Sequence, residues 1–268
     1  METLFENPED ILIERIATSL PGVTLEGIVK LPESSNVDSF SVKLMEKAWW
    51  CYDFIIKMTD GKPLKKENFL NGYTKAWALF YLEAAKTLSN RTLTAISDKR
   101  LPPILWTYHF PEYPSLAPYF KDNNVGAIVK RCAPWMGNGK YFLIGDGAIM
   151  KKILIWLEKG ETVIGMLDYA YRSTHNSFLN FLGIPSRTPM GLFEIATRFS
   201  LDVGLLFPLP ATRQLEIIKY KSSQFCSVLD LANQVVNDLS RIIMEEPQKW
   251  LLWPNINHRW ESDILKYK

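Results

Sequence analysis

The sequence predicts an α/β fold: a mostly parallel central sheet flanked by helices, with a helical N-terminal region ahead of it. Three observations carry this. Short apolar runs bounded by turn residues recur at Ile104–Tyr108, Val125–Lys130, Thr162–Leu167 and Val203–Pro208, as buried strands do. Helical patterns at Gly147–Leu157 and from Thr188 to about Ser200 alternate with those runs, which favours parallel pairing. The first hundred residues, by contrast, carry only helical periodicity.

In order along the chain, Asn7 and Pro8 open a first helix with a stripe at Ile11, Ile13, Ile16 and Leu20 that stops near Pro21–Gly22. Residues 21–40 read as a polar connection. Ser39–Met58 is a second helix with a broad apolar face including Trp49, Trp50, Phe54 and Ile55. Asp60-Gly61-Lys62-Pro63 is a turn, and Glu67–Leu88 is a third helix. Pro134–Gly139 reads as a loop and Tyr141–Ile144 as a strand. Lys159-Gly160 closes the helix that starts at Gly147. Residues 169–185 read as a long loop, with Thr188-Pro189 opening the next helix. Gln214–Tyr220 pairs as a further strand, and Leu229–Met244 is an amphipathic helix ended by Glu246-Pro247. Residues 1–95 are thus a helical region packed on an α/β core at 96–268, the two forming one continuous domain.

Composition narrows the class. With 268 residues and 47% hydrophobic content, the chain has enough apolar mass for a sizeable core. A net charge of +2 offers no electrostatic footprint for nucleic acid. Cys51, Cys132 and Cys226 are dispersed and odd in number, so reduced thiols in a cytoplasmic setting are expected. No metal site is expected from three scattered histidines, and no Gly-rich phosphate loop follows a strand. The acidic N-terminus is not a signal peptide, and no run reaches the roughly 18–20 apolar residues of a membrane span.

The stretch with most chemical content is Leu101–Pro114. Its apolar run stops at His109, which is followed by Phe110, Pro111, Glu112, Tyr113 and Pro114. His109 would stand at the C-terminal edge of a strand, where ligands bind in open α/β sheets. The same arrangement recurs where Thr162–Leu167 ends in Asp168. A loop histidine packed under two prolines is the plainer alternative.

Three blocks now coincide. They are His109-Phe110; Gly160–Asp168 with Phe181-Leu-Gly183-Ile-Pro185-Ser-Arg-Thr188-Pro189-Met-Gly191; and Pro247-Gln-Lys-Trp250-Leu-Leu-Trp253 with His258-Arg259-Trp260. In order and spacing, over about residues 100–260, they resemble the bacterial lipid A late acyltransferase family, the lauroyl and myristoyl transferases. That family lies within the lysophospholipid acyltransferase superfamily. The resemblance implies a lysophospholipid acyltransferase-like core. It implies transfer of an acyl group from a carrier-protein or coenzyme A thioester to a hydroxyl or amine of a lipid A-like acceptor. His109 would be the general base, a task suited to imidazole. A carboxylate would orient it. No bound cofactor is implied beyond the thioester donor.

The chain departs from the family twice. The family carries its carboxylate five residues after the histidine, where Pro114 stands here. Glu112, three residues on, and Asp168, from the next strand edge, are the two candidates to replace it. Family members also usually begin with a membrane-spanning helix, and none is read here. Expected substrate contacts are Lys130-Arg131, Lys140, Lys151-Lys152 and Arg213 for an acidic carrier or phosphates, and Arg172 and His175 as cleft lining. Each has a solvated surface role as its alternative. The aromatic, basic tail Trp250–Trp260 reads either as a membrane-facing anchor or as packing on the core. Two other functions stay open: a divergent aminoacyl transferase, for example of glycine, acting on lipid A or a natural-product scaffold; and a binding protein of the same fold without catalysis. The expected location is the cytoplasm, free or peripheral on the cytoplasmic face of the inner membrane.

Overall fold

The computed structural model describes residues 37–88, 101–130, 139–169, 175–209 and 215–260. The helix expected at Asn7–Leu20 and the loop from Pro134 to Asn138 lie outside them. Two long helices come first, α1 (Val37–Met58) and α2 (Lys66–Leu88). On α1, Ala48, Cys51, Tyr52, Ile55 and Ile56 are buried, the three- and four-residue spacing of one helical face. On α2 the buried row is Phe69, Tyr73, Ala76, Trp77, Phe80 and Ala84. The rows meet where Tyr52 stacks on Phe69, ring centroids 4.5 Å apart. The Asp60–Gly61 turn joins the helices, with the Gly61 N–H bonded to the Ile56 carbonyl.

The core of the protein is a six-stranded sheet. Its strands are β1 (Ile104–Thr107), β2 (Val125–Val129), β3 (Lys140–Leu143), β4 (Thr162–Met166), β7 (Val203–Pro208) and β8 (Leu215–Tyr220). The spatial order is β3-β2-β4-β1-β7-β8. All neighbours are parallel except β7 and β8. All four residues of β1 are buried, as expected of a strand flanked by two others and covered on both faces. Its register sets Ile104 beside Val163 and Thr107 beside Met166. Gly165 on β4 makes room for the Trp106 indole, since a Cβ there would stand 2.7 Å from it. That indole packs on Phe193 of α5 (Gly191–Arg198) with centroids 5.0 Å apart.

The connections change direction at one end of the sheet. After β1 the chain turns through Tyr113–Ser115 and α3 (Leu116–Asp122) toward β2 and β3. It returns through α4 (Ile149–Glu158) to β4, beside β1. After β4 it leaves the other way, toward β7. The C-terminal ends of β1 and β4 therefore lie side by side with their connections departing in opposite directions, the arrangement that opens a binding crevice in parallel sheets.

One stretch corrects the sequence reading. Residues expected to be loop, and the expected helix start at Thr188-Pro189, instead form an antiparallel hairpin, β5 (Asn176–Phe181) and β6 (Ile184–Pro189). Leu182 and Gly183 between them have φ of 55° and 81°, as a two-residue hairpin turn of matching twist requires. The inward positions are Leu179, Phe181, Ile184, Ser186 and Thr188. Two of these five are polar, so the alternation does not show as a hydrophobic pattern. Their hydroxyls bond to the carbonyls of Ile184 and Ser186. Helix α5 starts only at Gly191.

Helix α6 (Val228–Glu245) is capped by Ser227, whose hydroxyl accepts the Asp230 N–H, and it buries Leu231, Val235, Leu239 and Ile242. Pro247 ends it. The tail then folds in short 3-10 turns, with Trp250, Trp253, Arg259 and Trp260 all buried. Of the two readings of that tail, packing on the core is the one observed for these rings. Trp253 sits edge-on to Tyr52, and α1, α2, the sheet and the tail share one buried cluster. No helix among the described residues is long and apolar enough to cross a membrane.

Candidate functional site

His109 follows β1 and Asp168 follows β4, so the pairing of these two neighbours brings the side chains together across 59 residues of chain. The imidazole Nδ1 lies 2.9 Å from Asp168 Oδ1. The His109 backbone N–H donates to Asp168 Oδ2 at 2.8 Å. The Trp250 indole N–H donates to the same oxygen at 2.7 Å. The Asp168 side chain is fully buried, whereas 15% of the His109 side chain remains exposed.

A buried carboxylate is costly unless its lone pairs are satisfied. Burial alone would push the Asp168 carboxyl up. The His109 ring and backbone N–H and the Trp250 indole outweigh burial and hold it below the usual carboxylate range. An ionised Asp168 accepts at Oδ1, so Nδ1 carries the proton. Nε2 is left as the basic nitrogen, on the ring that solvent still reaches. A histidine oriented this way can take a proton from an attacking hydroxyl or amine and return it to a leaving group.

Glu112, the other candidate, is also buried. It stands at the cap of the Tyr113–Ser115 turn, where its carbonyl accepts the Ser115 hydroxyl at 2.6 Å. The segment after His109 does turn helically, but the hydrogen bond at Nδ1 belongs to Asp168. Glu112 instead acts on Tyr108, whose phenol is pushed well up by burial, with the Glu112 and Asp168 charges adding to it.

His175 is exposed at the foot of the hairpin, where its carbonyl accepts the Met190 N–H. Arg131, Arg172 and Arg213 lie outside the described residues. Among the other basic candidates, Lys140 lies over the Trp156 ring and Lys152 pairs with Asp146. Among the described residues, no three His, Cys, Asp or Glu side chains converge as metal ligands.

The aromatic surroundings of the imidazole were not read from the sequence. Tyr113 and Tyr169 each place a ring centroid 6.2 Å from that of His109. Tyr113 also lines an apolar recess with Ala117, Phe120, Val125, Ala127 and Tyr141. Trp250 was missed as well. In the sequence it is only part of an aromatic tail, and no local signal ties an indole to a carboxylate 82 residues earlier. Compared with known proteins, the chain matches no family model and no curated protein.

Proposed function

We propose that the protein is an acyltransferase that moves an acyl group from a carrier-protein or coenzyme A thioester to a hydroxyl or amine of a lipid A-like acceptor. The observation that carries the reading is the His109–Asp168 pair at the C-terminal ends of adjacent parallel strands. The resemblance of residues 100–260 to the late acyltransferases supplies the reaction class. Asp168 takes the place of the carboxylate that Pro114 displaces from the family's motif. This favours catalysis over the inactive binding alternative, because a perturbed carboxylate paired with a solvent-reached imidazole at strand ends is the kind of group that clusters at functional sites.

In this mechanism His109 Nε2 removes the proton as the acceptor oxygen or nitrogen attacks the thioester carbonyl. The tetrahedral intermediate collapses, the carbon–sulfur bond breaks, and the imidazolium returns the proton to the departing sulfur. Ester or amide and free thiol are the products. Asp168 stays ionised throughout and stabilises the charged ring.

Thioester turnover tests this, with wild type, His109→Ala and Asp168→Asn given fatty-acyl and aminoacyl carrier-protein donors and a lipid A acceptor. Transfer that disappears in both variants is the expected result, and the preferred donor separates acyl from aminoacyl transfer. Transfer that survives His109→Ala would sink the proposal.

A further inference from the structure

The segment that follows α6 grips both members of the pair. The Trp250 indole N–H reaches Asp168 Oδ2, and the Leu251 backbone N–H donates to the His109 carbonyl at 3.1 Å. The Leu251 carbonyl accepts the hydroxyl of Tyr73, on α2, at 2.7 Å. The Trp250 ring is held in turn, edge-on to Phe181 at 5.6 Å and to Trp253 at 4.7 Å. Its residue is 1% exposed, so the indole has almost no freedom to swing away.

We propose that Trp250 is a positioning residue, whose indole N–H fixes the rotation of the Asp168 carboxylate so that Oδ1 faces His109 Nδ1 and the basic nitrogen is Nε2. Two donors converge on Oδ2, one from the His109 backbone and one from Trp250. Without the indole, the carboxylate keeps a single bond at that oxygen. It can then turn about its own axis, and the preference for the Nδ1–H tautomer weakens. The effect on turnover rests on the acyl-transfer reading; the effect on the tautomer does not.

The test compares two Trp→Phe substitutions. Trp156, on α4, also donates its indole N–H to a carbonyl, that of Thr162 at 3.0 Å, away from the pair and from Trp250. Trp250→Phe and Trp156→Phe each delete one such bond and keep an apolar ring, so both lower stability. The tautomer is read from the imidazole ¹⁵N shifts of labelled protein at neutral pH. Wild type and Trp156→Phe should show His109 as the Nδ1–H form, and Trp250→Phe a mixture with Nε2–H. In the transfer assay, Trp250→Phe should lose about 10- to 100-fold in kcat at unchanged KM, the range found when the outer partner of a ligand histidine is removed. Trp156→Phe should stay within about twofold of wild type.

Should Trp250→Phe fail to fold, benzothienylalanine at position 250 preserves ring size and removes only the donor, with the same expected spectrum. An unchanged His109 tautomer in Trp250→Phe, or in the benzothienylalanine protein that stands in for it, overturns the proposal. Wild-type protein inactive with every donor would count against the acyl-transfer reading, and the ¹⁵N spectra would still decide the role of Trp250.

Discussion

Replacing Asp168 by Asn keeps the shape of the site and reverses its proton logic. The carboxylate accepts three hydrogen bonds: Nδ1 at Oδ1, and the His109 and Trp250 N–H groups at Oδ2. A carboxamide has one oxygen and one NH₂. Turning the NH₂ toward Oδ2's place would set donors against two fixed donors, whereas turning it toward Oδ1's place opposes one. The second orientation therefore wins, with the NH₂ pointing at Nδ1. The imidazole answers by moving its proton to Nε2, the nitrogen that has to be basic. Loss of about 10⁴ in turnover is expected, as for the same change in a serine-protease triad. That is about 5.4 kcal/mol of transition-state stabilisation. The stability cost is smaller, about 1–3 kcal/mol, since charge-assisted bonds become neutral ones in an otherwise intact site. The assay is thioester turnover beside a urea denaturation curve. Glu112→Gln is the comparison and should lose less than about tenfold. If Asp168→Asn keeps a tenth of the activity or more, or Glu112→Gln is the variant that abolishes it, the assignment of Asp168 as the orienting carboxylate is wrong.

Acid should act on the same group. Asp168 titrates below the usual range when folded, so its stabilisation is complete above the unfolded value of about 3.9 and drains away as pH falls through the folded value. Urea midpoints measured from pH 7 down to pH 3 should therefore fall more steeply below about pH 4 for wild type than for Asp168→Asn; parallel profiles would refute the linkage. Gly183→Ala puts a Cβ at φ 81° and into overlap with Thr59 Cγ2, so a loss of at least about 2 kcal/mol is expected. Adding Thr59→Ser removes that methyl, keeps the hydroxyl that bonds to the Ile55 carbonyl, and should restore about half of the loss in denaturant titrations. The Arg259 guanidinium is pushed down to about 10 by burial and its Nη1 lacks a hydrogen-bond partner, so Arg259→Met should cost clearly less than Arg259→Ala, by about 1–2 kcal/mol in the same titrations. Equal losses would mean that the charge, and not the volume, holds the tail.

Much of this fold is legible in the chain because the four inner strands of its sheet, β1, β2, β4 and β7, are apolar almost throughout. The apolar run Val203–Pro208 coincides with β7, and the runs at β1, β2 and β4 match those strands to within a residue. His109 and Asp168 were both singled out at strand ends. Their partnership was not legible, because it depends on β4 returning to lie beside β1 after two other strands have formed. Spacing along the chain instead kept Glu112 level with Asp168. The β5–β6 hairpin was lost for a different reason. Ser186 and Thr188 point inward and Pro185 outward, so the period of two is written in polarity that reads as loop. The tail posed a third problem. Tryptophans at an interface and tryptophans in a core have the same local composition, and only the fold decides between them.

The grip of Trp250 and Leu251 has a consequence for how the protein comes into being. During synthesis, a chain that has emerged as far as residue 240 already contains β1, β4, His109 and Asp168, but the indole and amide that hold the pair are still to come. The contacts that complete the site span 82 and 142 residues and close only when nearly all of the described chain is in place. The last bonds to the pair are thereby made at the end of folding, and a C-terminally clipped chain keeps the contacts between His109 and Asp168 at the ends of β1 and β4 without the indole and amide that hold them from outside.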